Sequence, residues 1–289
     1  MNSHRPLVEA ALEKSIDVRL DAGVDAITPI CIFDLCHQLG LGVRFVDISM
    51  EGMYVSEAGV GAEIWLSALR PLPRRVFTCA HELGHHLFGH GSTVDAIIDR
   101  VDKQKVFDPN EFLVDTFAGF LLMPTIGVRR AFALRGWSAA HATPEQIYTL
   151  ACSFGVGYET LLAHIAFSLR MITRISATEL AKSSPKIIRR QILGADVAEP
   201  LVLVDDHWLL PTIDVEVGTL LLLPDTVTVS TDHLVFQSRI HSQQLFRAVR
   251  PGISRVMRTD NAWAAFVRVS AFQYVGLSRY RHLEEDIDE

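Results

Sequence analysis

The chain has 289 residues, of which 49% are apolar and 21% are charged, and its formal net charge is −7. This composition is typical of a globular protein that buries a sizeable core in one large or two modest domains, and it excludes a disordered or fibrous chain. The acidic net charge provides no general attraction for nucleic acid. No apolar run approaches the ~18 residues that a membrane span needs, so we expect no membrane partner.

Short elements fill the first part of the chain. The predicted elements are an amphipathic helix at residues 6–22, a second helix at 31–39, and three short strands at 43–48, 52–56 and 62–67. A helix rich in histidine and a second apolar helix follow them. We therefore expect an α+β fold, in which residues 1–125 form a domain with a small twisted sheet beside these two helices.

The third of these strands, residues 62–67, contains Ile64 and Trp65 and allows two interpretations. As an edge strand it would bind an extended substrate by strand addition, which makes Ile64 and Trp65 candidate substrate-binding residues. As an ordinary interior strand it would only support the domain. The sequence favours neither interpretation over the other.

Two histidines one helical turn apart are the strongest chemical signal. Residues 77–88 are predicted to form a helix that ends in glycine, and within it stands the run His81-Glu82-Leu83-Gly84-His85. Positions i and i+4 share a helix face, so His81 and His85 can reach one metal ion. Glu82 lies beside the first of them, where it can hold a water molecule at the metal and act as general base. A surface helix with satisfied histidines is the alternative.

The helix predicted at residues 110–123 supplies carboxylates. Glu111 can complete a His₂Glu ligand set that leaves a fourth position open for water and substrate, and a solvated carboxylate at a helix start is the alternative. Asp115, on the same face, suits a carboxylate that hydrogen-bonds the far nitrogen of a ligand histidine. The pattern predicts a zinc hydrolase of peptides or similar amides, although Mn²⁺ or another divalent metal also suits these ligands.

Three further side chains near the motif carry weaker signals. His86 is rotated by about 100° from His85 and cannot share its face, so we do not assign it to the metal. His86 and Tyr54 are candidates for contact with the substrate or with its developing negative charge. His90 lies near the helix C-terminus, where an imidazole interacts favourably with the helix dipole, and it is not assigned to the metal either.

Residues 126–190 are predicted to be mostly helical, and nine basic residues there outnumber three acidic ones. Thr143 and Gln146 form a capping box at the start of one helix, and a glycine-containing turn at residues 154–157 separates it from the next. This outline is that of a helix-turn-helix, but it also describes an ordinary helical hairpin. No residue in it can be named as reading bases, so nucleic acid is a weak candidate partner.

Residues 191–282 are predicted to form a β-rich C-terminal domain. Its predicted strands, separated by Pro, Gly and Asp turns, lie at 201–204, 219–223, 234–236, 244–249 and 265–269. The acidic tail, residues 283–289, is predicted to be solvated.

The four cysteines have neither disulfide nor zinc-finger spacing, so we expect them to be reduced thiols. The N-terminus lacks an apolar signal segment, and together with the reduced thiols this predicts a cytoplasmic protein.

The two central motifs resemble those of the ImmA/IrrE family of bacterial zinc metallopeptidases. The likeness is carried by Phe77-Thr78-Cys79-Ala80-His81-Glu82-Leu83-Gly84-His85-His86, by Glu111-Phe112-Leu113-Val114-Asp115-Thr116-Phe117-Ala118-Gly119-Phe120-Leu121-Leu122-Met123-Pro124, and by short pieces at 29–35 and 52–54. Asp115 stands where the family commonly has Asn and resembles the Glu-x-x-x-Asp arrangement of thermolysin-like enzymes, and Gly119 replaces an Ala. The likeness covers residues 5–135 and extends more weakly to about 175.

The resemblance implies a thermolysin-like minimal zincin domain. It also implies site-specific cleavage of a helix-turn-helix transcriptional repressor, which would relieve repression of mobile-element or stress-response genes. Some family members end in a GAF-like sensor, which the β-rich segment would then resemble. Two other functions stay open, namely a zinc-containing regulator that binds DNA or a repressor without cutting it, and a protein that captures a partner strand. The sequence does not indicate an oligomeric state.

Overall fold

The computed structural model describes residues 4–57, 61–91, 93–95 and 107–283. Its helices and its several sheets confirm the predicted α+β class, with a helical middle and a β-rich C-terminal region. Contacts divide the chain into two compact units. Unit 1 consists of the described residues up to Gly127 together with Val275–Arg279, and unit 2 consists of Val128–Tyr274 and the described residues from Tyr280 to Leu283.

The elements follow one another in this order. In the first part they are α1 (Arg5–Asp21), α2 (Ile32–Gln38), β1 (Gly42–Val46), β2 (Gly52–Glu57), β3 (Gly61–Ser67), α3 (Leu72–Phe88), β4 (Thr93–Asp95), α4 (Pro109–Leu122) and α5 (Thr125–Leu134). The middle contains α6 (Pro144–Ser153), α7 (Tyr158–Ala163) with a π-helical turn at His164–Ser168, α8 (Arg174–Leu180) and α9 (Pro185–Leu193). The strands that follow are β5 (Leu201–Leu203), β6 (Thr212–Glu216), β7 (Leu220–Leu223), β8 (Val227–Val229), β9 (Leu234–Ile240), β10 (Gln243–Ala248), β11 (Gly252–Arg258), β12 (Ala264–Ser270) and β13 (Gly276–Leu277).

The sheet of unit 1 corrects one interpretation of the sequence. Its order is β13-β1-β3-β2-β4, with β1 and β3 parallel and the other neighbours antiparallel. Strand β3 is therefore interior, since both of its edges are paired, and the edge-strand interpretation of residues 62–67 is wrong. The physical reason lies in its burial: Ile64 and Leu66 are completely buried on one face, as the core demands of a central strand.

Small residues set the distance at which helix α3 packs on its neighbours. A Cβ atom on Gly84 would lie 3.0 Å from Cβ of Val114 and 3.1 Å from Cδ1 of Phe117, both on α4. A Cβ atom on Gly52 of β2 would lie 2.7 Å from Cγ2 of Thr78 on α3. Helix α3 is therefore held close both to the sheet and to α4, and this brings the histidines near the start of α4.

A buried arginine ties α1 to the far end of α4. The guanidinium of Arg19 donates hydrogen bonds to the carbonyl oxygens of Asp25 at 3.1 Å, Leu121 at 3.0 Å and Thr28 at 2.5 Å. Burial lowers the pKa of Arg19 to about 10, which still leaves the group charged at neutral pH. The start of α4 is fixed separately, because the Asp108 side chain caps it by accepting from the backbone N–H of Asn110 at 2.9 Å.

In unit 2 the helices and strands share contacts. The capping box between Thr143 and Gln146 is present as expected, and α6 is bent by 104° from the helical stretch 158–168. The Tyr148 hydroxyl donates to the carbonyl oxygen of Leu201 at 2.7 Å, and Cys152 packs against the apolar core of the strands. The helical and β-rich segments thus belong to one unit by their contacts, while the domain boundaries at residues 125 and 190 and the GAF-like character stay predictions.

Two four-stranded sheets make up the β-rich part of unit 2. Their orders are β5-β7-β10-β9 and β6-β12-β11-β8, and their inner faces share an apolar core that includes Trp208 and Trp263. Asp214 on β6 lies between two arginines, with its carboxylate 2.6 Å from Nε of Arg268 and 2.9 Å from a terminal nitrogen of Arg281. The acidic tail from residue 284 onward lies outside the described residues.

Within the described part of the chain, one helical stretch has the length and apolar composition of a membrane span. It covers Pro109–Leu134, and 67% of its most apolar window is buried inside the protein. The bent pair Pro144–Ser153 and Tyr158–Ser168 passes the same test only when it is counted as one broken span. A mostly buried core helix meets these criteria as well, so both are weak evidence for a span.

Candidate metal centre

Three predicted ligand side chains converge between helices α3 and α4. The Nε2 atoms of His81 and His85 lie 3.0 Å apart. The two carboxylate oxygens of Glu111 lie 3.4 Å from Nε2 of His81 and 3.3 Å from Nε2 of His85. Ligand atoms around a tetrahedral zinc ion stand about 3.3 Å from one another, given metal–ligand bonds of ~2.0–2.1 Å. The distances between the three candidate ligand atoms therefore fit one metal ion with the bond lengths of zinc.

The hydrogen bonds behind the histidines decide which nitrogen faces the site. Nδ1 of His81 lies 2.9 Å from Oδ1 of Asp115, and an ionised carboxylate only accepts, so this nitrogen carries the hydrogen. The lone pair of His81 is then on Nε2, which points towards His85 and Glu111. Imidazole lone pairs and a carboxylate that converge at this distance repel one another unless a proton or a metal cation lies between them. The donor set of these residues accordingly suits a divalent metal.

The burial of these residues differs between the two helices. The side chains of His81 and His85 are only 8% and 2% exposed, whereas that of Glu111 is 46% exposed. The side chain of Asp115 is 59% exposed. The centre thus has a buried wall formed by α3 and a wall open to solvent formed by α4. Three protein ligands with one accessible side are the arrangement of catalytic rather than structural zinc sites.

Glu82 is fully buried on the same helix. Burial raises the pKa of the neighbouring Cys79 thiol well above its usual value, and Cys36, Cys31 and the charge of Glu82 raise it further. The Sγ atoms of Cys79 and Cys36 lie 3.8 Å apart. Cys79 consequently stays a neutral thiol that packs against α2. It lies away from the ligand set, as its spacing from His81 indicates.

The four candidate substrate-binding residues, Tyr54, Ile64, Trp65 and His86, lie in different environments. Nδ1 of His86 lies 2.7 Å from the hydroxyl of Tyr54, and burial lowers the pKa of His86. Ile64 is completely buried, and the indole N–H of Trp65 donates to Glu63 at 2.5 Å. Because β3 is interior, the strand-addition argument for Ile64 and Trp65 no longer applies. Tyr54 and His86 remain candidates, as a hydrogen-bonded pair one residue beyond His85.

The sequence did not predict one contact of the candidate ligands, that between His85 and His90. Nδ1 of His90 lies 3.0 Å from Nδ1 of His85. Sequence spacing places His90 beyond the helix, and only the helix-ending Gly89, with a φ of 69°, indicates that the chain turns back there. A histidine directly after such a glycine is the signal that could have suggested the contact.

Comparison with known families agrees with this geometry. Residues 36–165 match the family model described as the IrrE N-terminal-like domain of the M78 peptidases. A search of curated proteins found no match. The matched range contains both active-site helices and all three candidate ligands, and it supports a metallopeptidase role. Residues 36–165 of this chain therefore form an IrrE N-terminal-like domain of the M78 peptidase family.

Proposed function

We propose that this protein is a zinc-dependent metalloendopeptidase that hydrolyses one specific peptide bond in a protein substrate. The observation that carries the proposal is the convergence of His81, His85 and Glu111, whose ligand atoms all lie within 4.8 Å of one another. The match to the peptidase family supports it independently. Zn²⁺ is the proposed metal because two imidazoles and one carboxylate are the ligand set of many zinc hydrolases.

Each residue has one task in the proposed reaction. His81, His85 and Glu111 would hold the metal, and when bound it would polarise the scissile carbonyl and lower the pKa of water. Glu82 would take the proton from the attacking water and pass it to the leaving amine. Asp115 would fix the ring of His81 by accepting its Nδ1 hydrogen. The Tyr54–His86 pair is the proposed contact for the substrate.

The proposed substrate is a helix-turn-helix transcriptional repressor, whose cleavage would relieve repression of mobile-element or stress-response genes. This part rests on the resemblance of the two motifs to the ImmA/IrrE family. We further propose that the protein acts in the cytoplasm. The support is that all four cysteines are free thiols, which is the usual state in a reducing compartment.

The proposal is tested by incubating the zinc-loaded protein with the helix-turn-helix repressor encoded nearest its gene. The Glu82→Gln variant runs in parallel, and fragments are identified by mass spectrometry. We expect one discrete cut by the wild type and none by the variant. An intact repressor held in a stable complex by both proteins would instead support a regulator that binds without cutting, for which the basic helical segment would supply a binding surface.

A further inference from the structure

A histidine outside the ligand set contacts one of its members. The Nδ1 atoms of His85 and His90 lie 3.0 Å apart, and their rings meet edge to face with centroids 5.1 Å apart. His81 is contacted on its equivalent atom by the carboxylate of Asp115. The two histidines of the centre thus have different partners behind them, one a carboxylate and the other an imidazole.

The backbone at the end of α3 brings His90 to this place. The N–H of Gly89 donates to the carbonyl of His86 at 3.2 Å, and the N–H of His90 donates to the carbonyl of His85 at 3.1 Å. With Gly89 in the left-handed region, these two bonds form a Schellman closure of the helix. The closure fixes the residue after the glycine over the last turn, so His90 is held at His85 by the same bonds that end the helix.

Packing supports the ring of His90 from the core. Phe88 stacks on it with ring centroids 6.0 Å apart at 20°, and Phe88 in turn meets Phe117 edge-on at 5.9 Å. Phe117 is completely buried on α4. The imidazole of His90 therefore packs on Phe88, which packs on Phe117 of the helix that carries Glu111.

The hydrogen between the two rings can be assigned from the site. A contact between two ring nitrogens needs one donor and one acceptor. Nε2 of His85 faces Nε2 of His81 at 3.0 Å and Glu111 at 3.3 Å, so it is the ligand nitrogen and offers its lone pair there. The hydrogen of His85 then lies on Nδ1, and Nδ1 of His90 accepts it.

We propose that His90 is a positioning residue of the metal centre, which accepts a hydrogen bond from Nδ1–H of His85 and aims the ligand nitrogen of His85 at the metal. This inference rests on the proposed function, since it requires that His85 binds a metal. Partners of this kind fix the tautomer and the orientation of a ligand imidazole, and their loss commonly weakens metal affinity by roughly 10–100-fold.

A pair of variants of nearly equal shape separates the hydrogen bond from packing. His90→Asn places an acceptor oxygen on the same γ-branch that carries Nδ1 in histidine, whereas His90→Leu keeps that branched shape and has no acceptor. Zn²⁺ affinity is measured by competition with a chromophoric chelator, and the visible absorption of the Co²⁺-loaded proteins reports the coordination geometry. Unfolding of the metal-free proteins serves as the control for folding.

We expect His90→Leu to bind Zn²⁺ roughly 10–100-fold more weakly with an altered Co²⁺ spectrum, and His90→Asn to stay close to the wild type in both. Equal weakening by both variants, or wild-type binding by His90→Leu, would overturn the inference while leaving the proposed function intact. A folded wild-type protein that takes up no Zn²⁺ would overturn both. If His90→Leu does not fold, His90→Ala replaces it as the variant without an acceptor.

Discussion

Nδ1 of His81 lies 2.9 Å from Oδ1 of Asp115, so the helix that carries Glu111 also orients a ligand of the other helix. Asp115 follows Glu111 by one turn of α4, and the two carboxylates contact different nitrogens of the His81 ring, Asp115 at Nδ1 and Glu111 at Nε2. The position of α4 against α3 thus controls both carboxylate contacts of His81 and also the contact of Glu111 with His85.

Removal of the Asp115 carboxylate is predicted to weaken metal binding without unfolding the domain. Asp115→Ala leaves the Nδ1–H of His81 to water, since this side of the centre is open, and metal affinity should fall by roughly 10–100-fold. Asp115→Asn keeps an acceptor oxygen, so its metal affinity should fall less than that of Asp115→Ala. Chelator competition on the two variants measures the difference, and equal affinity of Asp115→Ala and wild type would contradict the orienting role.

Glu82→Gln is predicted to separate metal binding from turnover. The amide cannot accept the proton of water, so peptide hydrolysis should fall by roughly 100- to 10,000-fold while the metal content stays that of the wild type. Metal analysis and cleavage kinetics on the same preparation check both halves. Wild-type-like cleavage by a metal-replete variant would refute the role of Glu82 as general base.

Glu111→Gln is predicted to weaken metal retention. The substitution replaces a charged oxygen ligand by a neutral one, while the 46% exposed side chain makes little contribution to the core. The variant should release Zn²⁺ under mild chelation that leaves the wild type loaded. Unchanged zinc stoichiometry after that treatment would show that another group is the third ligand.

Gly84→Ala is predicted to disturb the centre through the spacing of its two helices. Alanine favours the helix by about 1 kcal/mol, but its Cβ would press on Val114 and Phe117 at 3.0–3.1 Å, and overpacking of this kind costs roughly 1–3 kcal/mol. Because the strain is relieved by moving α4, Glu111 should withdraw from the histidines. Reduced Zn²⁺ affinity in a still folded variant is the expected result, and unaltered affinity would contradict it.

Asp214→Asn is predicted to destabilise unit 2 in a pH-dependent way. Burial raises the pKa of Asp214, but the charges of Arg281 and Arg268 outweigh burial and lower it below the ordinary value of 3.8. The side chains of Asp214 and Arg281 are only 18% and 2% exposed, so the variant leaves buried positive charge behind and should lose roughly 3–5 kcal/mol at neutral pH.

The sign of the pH effect on Asp214 follows from this lowered pKa. The native protein binds fewer protons at this site than the unfolded chain, so the contribution of Asp214 is complete above the ordinary carboxyl pKa and is lost as the pH falls below it. Denaturant unfolding of wild type and Asp214→Asn should therefore show stabilities that approach each other on acidification. A difference that persists unchanged in acid would contradict the ionic origin.

The metal centre was predictable from sequence because its geometry is local. A spacing of four on a helix dictates that His81 and His85 share a face, and the capping Asp108 and terminal Pro124 mark the helix that carries Glu111. No comparable rule connects residues across a turn of unknown conformation. The contact of His90 with His85 depends on the left-handed Gly89 and was missed for that reason.

Prediction of the strands was less complete. The five predicted in the C-terminal region are present, but β6, β8, β11 and β13 were not predicted. In β6 and β11 polar residues such as Asp214 and Arg255 alternate with buried ones, which is itself a strand pattern, but the prediction followed predominantly apolar runs and did not use it. Strand β13 has only two residues and pairs with β1, which is distant in sequence, and no local pattern reveals such a partner.

The return of Gly276–Leu277 to β1 has a consequence for the order of assembly. The candidate metal ligands of unit 1 all precede Val128, yet one outer strand of its sheet, β13, is made of residues that follow Tyr274 in the chain. Until β13 has been translated, the edge of β1 exposes unpaired main-chain groups, which invite pairing with other chains. The peptidase sheet therefore reaches its final five strands only after the whole of Val128–Tyr274 has been translated.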